Sequence, residues 1–253
     1  MFKERVKLSV RLDEHNLPWE RAQLAAPARD GDSTSPNWRG NWAGKTYAEP
    51  LSHGREFTKE EIWENYTYFI KKVAPVAEEA GVRIGIHPDD PPKPVIAGVP
   101  RCIFGNFEGY KRAIEIANSP NIGVCLCCGS WLEGGKMTGA EPVEMIRYFG
   151  SRKKLFKIHF RNVSAPLPHF TETMIDDGYY DMSKIMRALV EVKFEGIMIP
   201  DHVPGLGSNP RTEGAGGRGA AGRTPGEFRP NPALAYLLGC MNAMLVAAQG
   251  KQS

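Results

Sequence analysis

The segment Gly85-Ile86-His87-Pro88-Asp89-Asp90-Pro91-Pro92 marks the end of a predicted strand from which the fold can be inferred. The apolar run that leads into it is typical of a strand. Consecutive prolines then end sheet pairing, because proline lacks an N–H and restricts the residue before it. The strand therefore delivers His87 to its carboxyl end. Three later stretches, 122–128, 155–161 and 197–202, repeat this arrangement with Cys127, His159 and Asp201 at or near the strand end.

Predicted helices alternate with these strands. A capping box at Thr58-Lys59-Glu60-Glu61 begins a helix that Gly81 ends, and the strand to His87 follows directly. Further helices are predicted by apolar spacing and by capping residues at 107–118, 142–149, 181–192 and 231–248. Alternating strands and helices predict a parallel sheet, and strands that are apolar throughout predict helices on both of its faces.

The fold class is therefore α/β, resembling a (β/α) TIM barrel. The chain shows four clear strand–helix units and one weaker strand near its start, at residues 7–12. A closed barrel has eight such units in roughly 250 residues. We expect an incomplete barrel, open on the N-terminal side, with residues 1–57 as an irregular region carrying a remnant strand and 58–253 as the partial barrel.

Composition excludes several classes of protein. The net charge is +3 and basic residues form no block, so nucleic acid is not expected as a partner. No run of apolar residues approaches the length of about 18–20 needed to span a membrane, and the start lacks the core of a signal peptide. Five cysteines, with three crowded at Cys125, Cys127 and Cys128, indicate reduced thiols and a cytoplasmic location.

Two stretches have the composition of long loops. Residues 16–54 contain Trp38 and Trp42, which either anchor the loop or line a sugar site. The Gly- and Arg-rich stretch 205–229 is either a mobile loop or a lid that closes over an anionic substrate.

The strand ends carry a candidate metal site. Ligands bind at the carboxyl edge of parallel sheets, and this edge holds His87, Cys127, His159 and Asp201. Two imidazoles, a thiolate and a carboxylate suit a divalent transition ion. The period of two along a strand puts Cys125 on the same face as Cys127, one layer below, and turns Cys128 away. The alternative is that these cysteines and histidines only pack the core.

Four segments carry a resemblance to a known family. They are Ile86-His87-Pro88-Asp89-Asp90-Pro91-Pro92, Cys127-Cys128-Gly129-Ser130, Ile158-His159-Phe160-Arg161-Asn162 and Pro200-Asp201-His202. Over about residues 57–247 the chain resembles the mannonate dehydratase family of the xylose-isomerase-like barrel superfamily. The resemblance implies that the four candidate ligands hold Mn²⁺ or Fe²⁺. It also implies catalytic roles for His202 and Tyr236, and substrate contacts for Arg161, Asp89 and Arg101.

The activity implied is that of a lyase that eliminates water from a sugar acid, converting D-mannonate to 2-keto-3-deoxy-D-gluconate. Members of the family carry about three further strand–helix units before the capping-box helix. An isomerase or epimerase of the same superfamily, or an inactive shortened relative, is the alternative. We also expect a homo-oligomer, because an open barrel exposes apolar strand edges.

Overall fold

The computed structural model describes residues 7–8, 54–96, 99–100, 103–167, 170–202 and 232–250. Trp38, Trp42, Arg101 and the Gly- and Arg-rich stretch lie outside these residues, so the interpretations placed on them stay predictions. In chain order, the described elements are β1 (Lys7–Leu8), α1 (Lys59–Glu79), β2 (Arg83–Ile86), β3 (Val95–Ile96), β4 (Val99–Pro100), α2 (Phe107–Ala117), β5 (Ile122–Cys127), α3 (Cys128–Gly134), a 3₁₀ turn (Gly135–Thr138), α4 (Pro142–Ser151), β6 (Leu155–Phe160), β7 (Asn162–Val163), β8 (Glu172–Thr173), α5 (Met182–Glu191), β9 (Ile197–Pro200) and α6 (Pro232–Gly250).

Five of these strands form one parallel sheet in the order β1-β2-β5-β6-β9. Because each strand returns to the sheet after a helix, every pairing is parallel, as the alternating pattern predicts. Among the strands that the structure describes, β1 and β9 lie at the two edges. The predicted α/β class and the incomplete barrel are confirmed. The two short hairpins β3–β4 and β7–β8 lie outside this sheet.

The core lies on both sides of the central strands. All six residues of β5 are buried, as expected for a strand covered by helices on each face. Hydrogen bonds from buried tyrosines connect the helices to one another and to the sheet. Tyr66 on α1 donates to the carbonyl of Ala113 on α2 at 2.8 Å, and Tyr110 on α2 donates to the carbonyl of Ile86 at 3.2 Å.

The predicted helix starts agree with the structure where the sequence contains a side-chain cap. At α1, the Glu61 N–H donates to Thr58 Oγ1 at 3.1 Å and the Thr58 N–H donates to Glu61 Oε2 at 2.8 Å, which is a complete capping box. Helix α3 had no such signal. It begins directly after β5, and the Ser130 N–H points at the sulfur of Cys127 at 3.5 Å. Cysteine is not a preferred N-cap residue, so the sequence did not predict this helix.

Helix α6 corrects one expectation. It has 19 residues and a mean hydropathy of 1.4, so by length and composition alone it could cross a membrane. The prediction that no apolar run approaches the length of a membrane span was therefore wrong. Gly239 and Asn242 interrupt the run, but its mean hydropathy remains high enough for a membrane helix. In the structure, Leu237 and Met241 are buried. A single helix of this kind is weak evidence for a membrane span, since a core helix passes the same test.

Candidate metal centre

Three of the predicted ligands meet at the carboxyl edge of the sheet. His87 follows β2, Cys127 ends β5 and His159 lies near the end of β6, directly opposite Cys127 in the strand register. One potential ligand atom from each residue lies within 4.8 Å of the other two. This convergence arises because parallel strands present their last residues at the same edge.

The fourth predicted ligand lies beside these three. Asp201 directly follows β9, whose Ile199 pairs with His159. Its Oδ2 is 3.2 Å from Nδ1 of His159 and 4.0 Å from the sulfur of Cys127. The structure therefore places Asp201 against two of the three converging residues.

The polar atoms of this cluster fit a cation. Nδ1 of His159 is buried and has no hydrogen-bond partner among the described residues, although Asp201 Oδ2 is only 3.2 Å away. Two polar groups that face one another without hydrogen-bond geometry are suited to share an ion. On the opposite side, Nδ1 of His87 donates to the Pro88 carbonyl at 2.6 Å, which leaves Nε2 as the free ligand atom.

The charges around Cys127 favour its thiolate. Burial opposes ionisation, but the Arg161 guanidinium and hydrogen bonds from His159 and His87 hold the pKa of Cys127 well below its usual value. Burial likewise opposes the Asp201 carboxylate, yet the contact with His159 and the charge of His202 keep the pKa of Asp201 below its usual range. Anionic sulfur and oxygen are the forms that bind metals.

Opposing effects also act on the pKa of His159. Burial disfavours a charged imidazole, but contacts with Asp201, Cys125 and Cys127 raise the pKa of His159 to about 11. A cation bound by these groups would compete with that proton.

The two other cysteines of the cluster differ in position. The sulfur of Cys125 lies 3.6 Å from Nε2 of His159, so this thiol borders the candidate site. Cys128 begins α3 and is buried, and burial raises the pKa of its thiol well above the usual value. A neutral thiol of this kind is suited to packing rather than to holding a metal.

Arg161 occupies a buried position beneath the site. Its side chain is 2% exposed, and Nη1 donates to both oxygens of Glu172 at 3.0 Å. Nη2 donates to Glu133 at 2.6 Å and to Ser130 at 3.2 Å. Two further carboxylates, Asp90 and Asp201, lie 3.8 Å away. Four carboxylates, from Asp90, Glu133, Glu172 and Asp201, thus surround a single guanidinium.

These contacts bear on the predicted substrate-binding residues. A contact between Arg161 and a substrate carboxylate stays a prediction, and its bonds to Glu133 and Glu172 favour a role in holding the site together. Asp89 accepts from the Phe104 N–H at 3.1 Å and so fixes the segment before α2. Its contact with substrate also stays a prediction.

The two predicted catalytic residues lie in different surroundings. Nδ1 of His202 is 2.7 Å from Glu172 Oε1, and its Nε2 is 3.5 Å from Asp201 Oδ2. Tyr236 lies on α6 with 44% of its surface exposed, and its hydroxyl donates to Asp176. That hydrogen bond raises the pKa of Tyr236, which is the opposite of what a base needs. The catalytic role of Tyr236 stays a prediction.

Sequence reasoning missed Glu133 and Glu172. Glu133 lies on the unpredicted helix α3, and Glu172 lies on the hairpin β7–β8. The available signal was Arg161 itself, because an arginine next to a buried strand needs carboxylate partners. That argument does not select among the many acidic residues of the chain.

Comparisons with known proteins point to one family. The family model described as D-mannonate dehydratase (UxuA) matches residues 18–249. A mannonate dehydratase of Streptococcus equi subsp. zooepidemicus is 33% identical over 233 residues, which cover 83% of this chain and 62% of that protein. A mannonate dehydratase of Enterococcus faecalis is 41% identical over 152 residues, covering 57% of this chain and 40% of that protein.

Solved structures lead to the same fold. The crystal structure of mannonate dehydratase from Streptococcus suis serotype 2 matches with a TM-score of 0.61 and 33% identity, over 77% of this chain and 52% of that one. A xylose isomerase domain protein from Alicyclobacillus acidocaldarius matches with a TM-score of 0.53 over 77% of this chain and 62% of that one; at 14% identity it supports the fold alone. The chain spans less than two thirds of the length of each of these relatives.

Proposed function

The chain belongs to the D-mannonate dehydratase family, and on that basis we propose that it eliminates water from a sugar acid, converting D-mannonate to 2-keto-3-deoxy-D-gluconate. The observation that carries the proposal is the meeting of His87, Cys127, His159 and Asp201 at the end of four parallel strands. The relatives matched over most of this chain are named mannonate dehydratases.

We assign Mn²⁺ or Fe²⁺ to these four residues, because imidazole, thiolate and carboxylate together suit such ions. When bound, the ion supplies Lewis acidity that stabilises negative charge developing on the substrate. The chain's own residues prepare the site. The Pro88 carbonyl orients His87, and Arg161 favours the thiolate of Cys127.

Elimination of water requires that one proton leave C2 and that the hydroxyl leave C3 with a proton, after which the enol becomes a ketone. We assign the proton exchange to Nε2 of His202. This atom lies on the side of the metal centre, 3.5 Å from Asp201 Oδ2. The hydroxyl of Tyr236 is instead engaged with Asp176. His202 is therefore the better placed of the two predicted catalytic residues.

Proton NMR of the products tests the proposal. The purified protein, loaded anaerobically with Mn²⁺, is incubated with a panel of sugar acids headed by D-mannonate. We expect the methylene signals of a 3-deoxy product. The variants Cys127→Ala and His159→Ala should lose both bound metal and turnover. Cys128→Ala is the matched control, because it removes the neighbouring thiol, which is buried and neutral, and should retain the metal.

Other outcomes would contradict the proposal. A rearranged sugar without a methylene signal would indicate an isomerase or epimerase. Stoichiometric metal without any turnover would indicate an inactive relative, and a Cys127→Ala variant with the wild-type rate would refute the assigned site.

A further inference from the structure

We propose that Glu172 is a positioning residue that holds His202 with Nε2 towards the metal centre, and that Arg161 in turn fixes Glu172. The inference rests on the proposed function for its consequence in dehydration. Its geometric part, the orientation of the His202 ring, can be measured without any turnover.

The contact between the two side chains is short and buried. Glu172 Oε1 lies 2.7 Å from Nδ1 of His202, and the Glu172 side chain is 5% exposed. Both oxygens of Glu172 also accept from Arg161, which is always charged, so the carboxylate faces His202 as an acceptor. The ring must then carry hydrogen on Nδ1, which makes Nε2 the nitrogen that would exchange a proton with a substrate.

The support behind Glu172 is rigid. Strand β8 pairs with β7, so Glu172 lies opposite Val163. The side-chain amide of Asn162 fixes this hairpin by donating to the carbonyls of Ile175 at 3.1 Å and Tyr180 at 2.8 Å. Nη1 of Arg161 donates to both oxygens of the carboxylate and so determines its orientation.

The backbone at His202 points to the same role. Its φ is +48°, in the left-handed region that residues other than glycine rarely adopt. Disfavoured backbone of this kind persists where surrounding contacts hold it, and it is concentrated at functional sites. Here the contact is the hydrogen bond to Glu172.

A simpler explanation is that Glu172 only balances the buried charge of Arg161. Glu133 provides the comparison that separates the two explanations. It is at least as buried as Glu172, and its Oε1 accepts from Nη2 of Arg161 at 2.6 Å. Among the described residues, no hydrogen bond or ion pair is seen between Glu133 and His202. A charge-balancing role predicts similar effects of substitution at both positions, whereas a positioning role predicts a much larger effect at Glu172.

The experiment compares Glu172→Gln, Glu133→Gln and the wild-type full chain. Each is loaded with Mn²⁺, and metal content, kcat and KM for D-mannonate are measured. We expect Glu172→Gln to retain one equivalent of metal and to lose about 100-fold or more in kcat, with KM changed by less than about 3-fold. Glu133→Gln should lose at least about 10-fold less in kcat than Glu172→Gln.

Nitrogen-15 NMR of histidine-labelled protein, with one equivalent of Zn²⁺ as a diamagnetic ion, provides a second readout. The His202 signals are assigned by their loss in His202→Gln. We expect hydrogen on Nδ1 and none on Nε2 in the wild type and in Glu133→Gln, and the other tautomer or a mixture in Glu172→Gln. Glu172→Asp should show the same change, since it keeps the charge beside Arg161 but withdraws the carboxylate from His202.

Equal losses of kcat in the Gln variants would overturn the inference. So would a wild-type ring with hydrogen on Nε2, or identical His202 signals in the wild type and both Glu172 variants. Absence of dehydration by the wild type would count against the proposed function instead, and the NMR spectra would still decide whether Glu172 orients His202.

Discussion

Gly129 provides a sharp test of how the Arg161 network is built. A Cβ added at this residue would lie 2.3 Å from Cζ of Arg161 and 2.4 Å from its Cγ and Nε. Ordinary contact begins at 3.4 Å, so one of the two groups must move by about 1 Å. The guanidinium cannot give way easily, because Glu133, Glu172 and Ser130 hold it.

The cost of Gly129→Ala follows from these contacts. Displacing a buried arginine from its carboxylates costs about 3–5 kcal/mol. Alanine in place of glycine within a helix returns up to about 1 kcal/mol. We therefore expect the free energy of unfolding to fall by about 2–4 kcal/mol, and metal affinity to fall with it because Asp201 borders the same guanidinium.

Urea denaturation of Gly129→Ala and of Gly239→Ala measures the effect. Gly239 also lies within a helix, and a Cβ there would meet nothing within 4 Å, so this control should be neutral or slightly stabilised. If Gly129→Ala were as stable as Gly239→Ala and bound metal with the wild-type affinity, the close packing of Arg161 against α3 would be refuted.

Three further predictions concern the helices around the sheet. Thr58→Ala removes the cap of α1 and should lower the free energy of unfolding by about 1 kcal/mol in urea. Tyr66→Phe leaves the buried Ala113 carbonyl without its tyrosine donor at 2.8 Å and should cost about 1 kcal/mol in the same assay; no loss would contradict this hydrogen bond. Hydrogen bonds from Arg55 and Thr58 lower the pKa of Glu61 from 4.5 to about 2. Because the folded pKa is depressed, the stability lost in Glu61→Gln should be present at neutral pH and should disappear as the pH falls from about 4.5 to 2. A difference between Glu61→Gln and the wild type that does not depend on pH would contradict this.

The sheet was predictable because its strands have clear boundaries in the sequence. Strands β5 and β6 begin at Ile122 and Leu155, where the predicted stretches 122–128 and 155–161 begin, and each ends one residue earlier than its stretch. Parallel pairing then places the candidate ligands at one edge. The period of two along β5 also distinguishes Cys125 and Cys127 from Cys128.

The sequence does not predict the contacts that Glu133 and Glu172 make with Arg161 and His202. The hairpin β7–β8 consists of two-residue strands, which are too short to give a periodic pattern. Helix α3 is capped by a thiol, and a long-range partner such as Glu172 has no local signal. The sequence also gives little indication of which face of α6 presents Tyr236, because the helix is apolar on nearly all sides.

Binding of Co²⁺ tests whether the four strand ends form one metal site with Cys127 as a ligand. Titration of the wild-type protein should saturate at one equivalent, with a near-ultraviolet charge-transfer band from thiolate to metal. The variant Cys127→Ser should lose that band, and Cys128→Ala should keep it. A wild-type protein that binds no stoichiometric ion, or a Cys127→Ser variant with an unchanged band, would contradict the account.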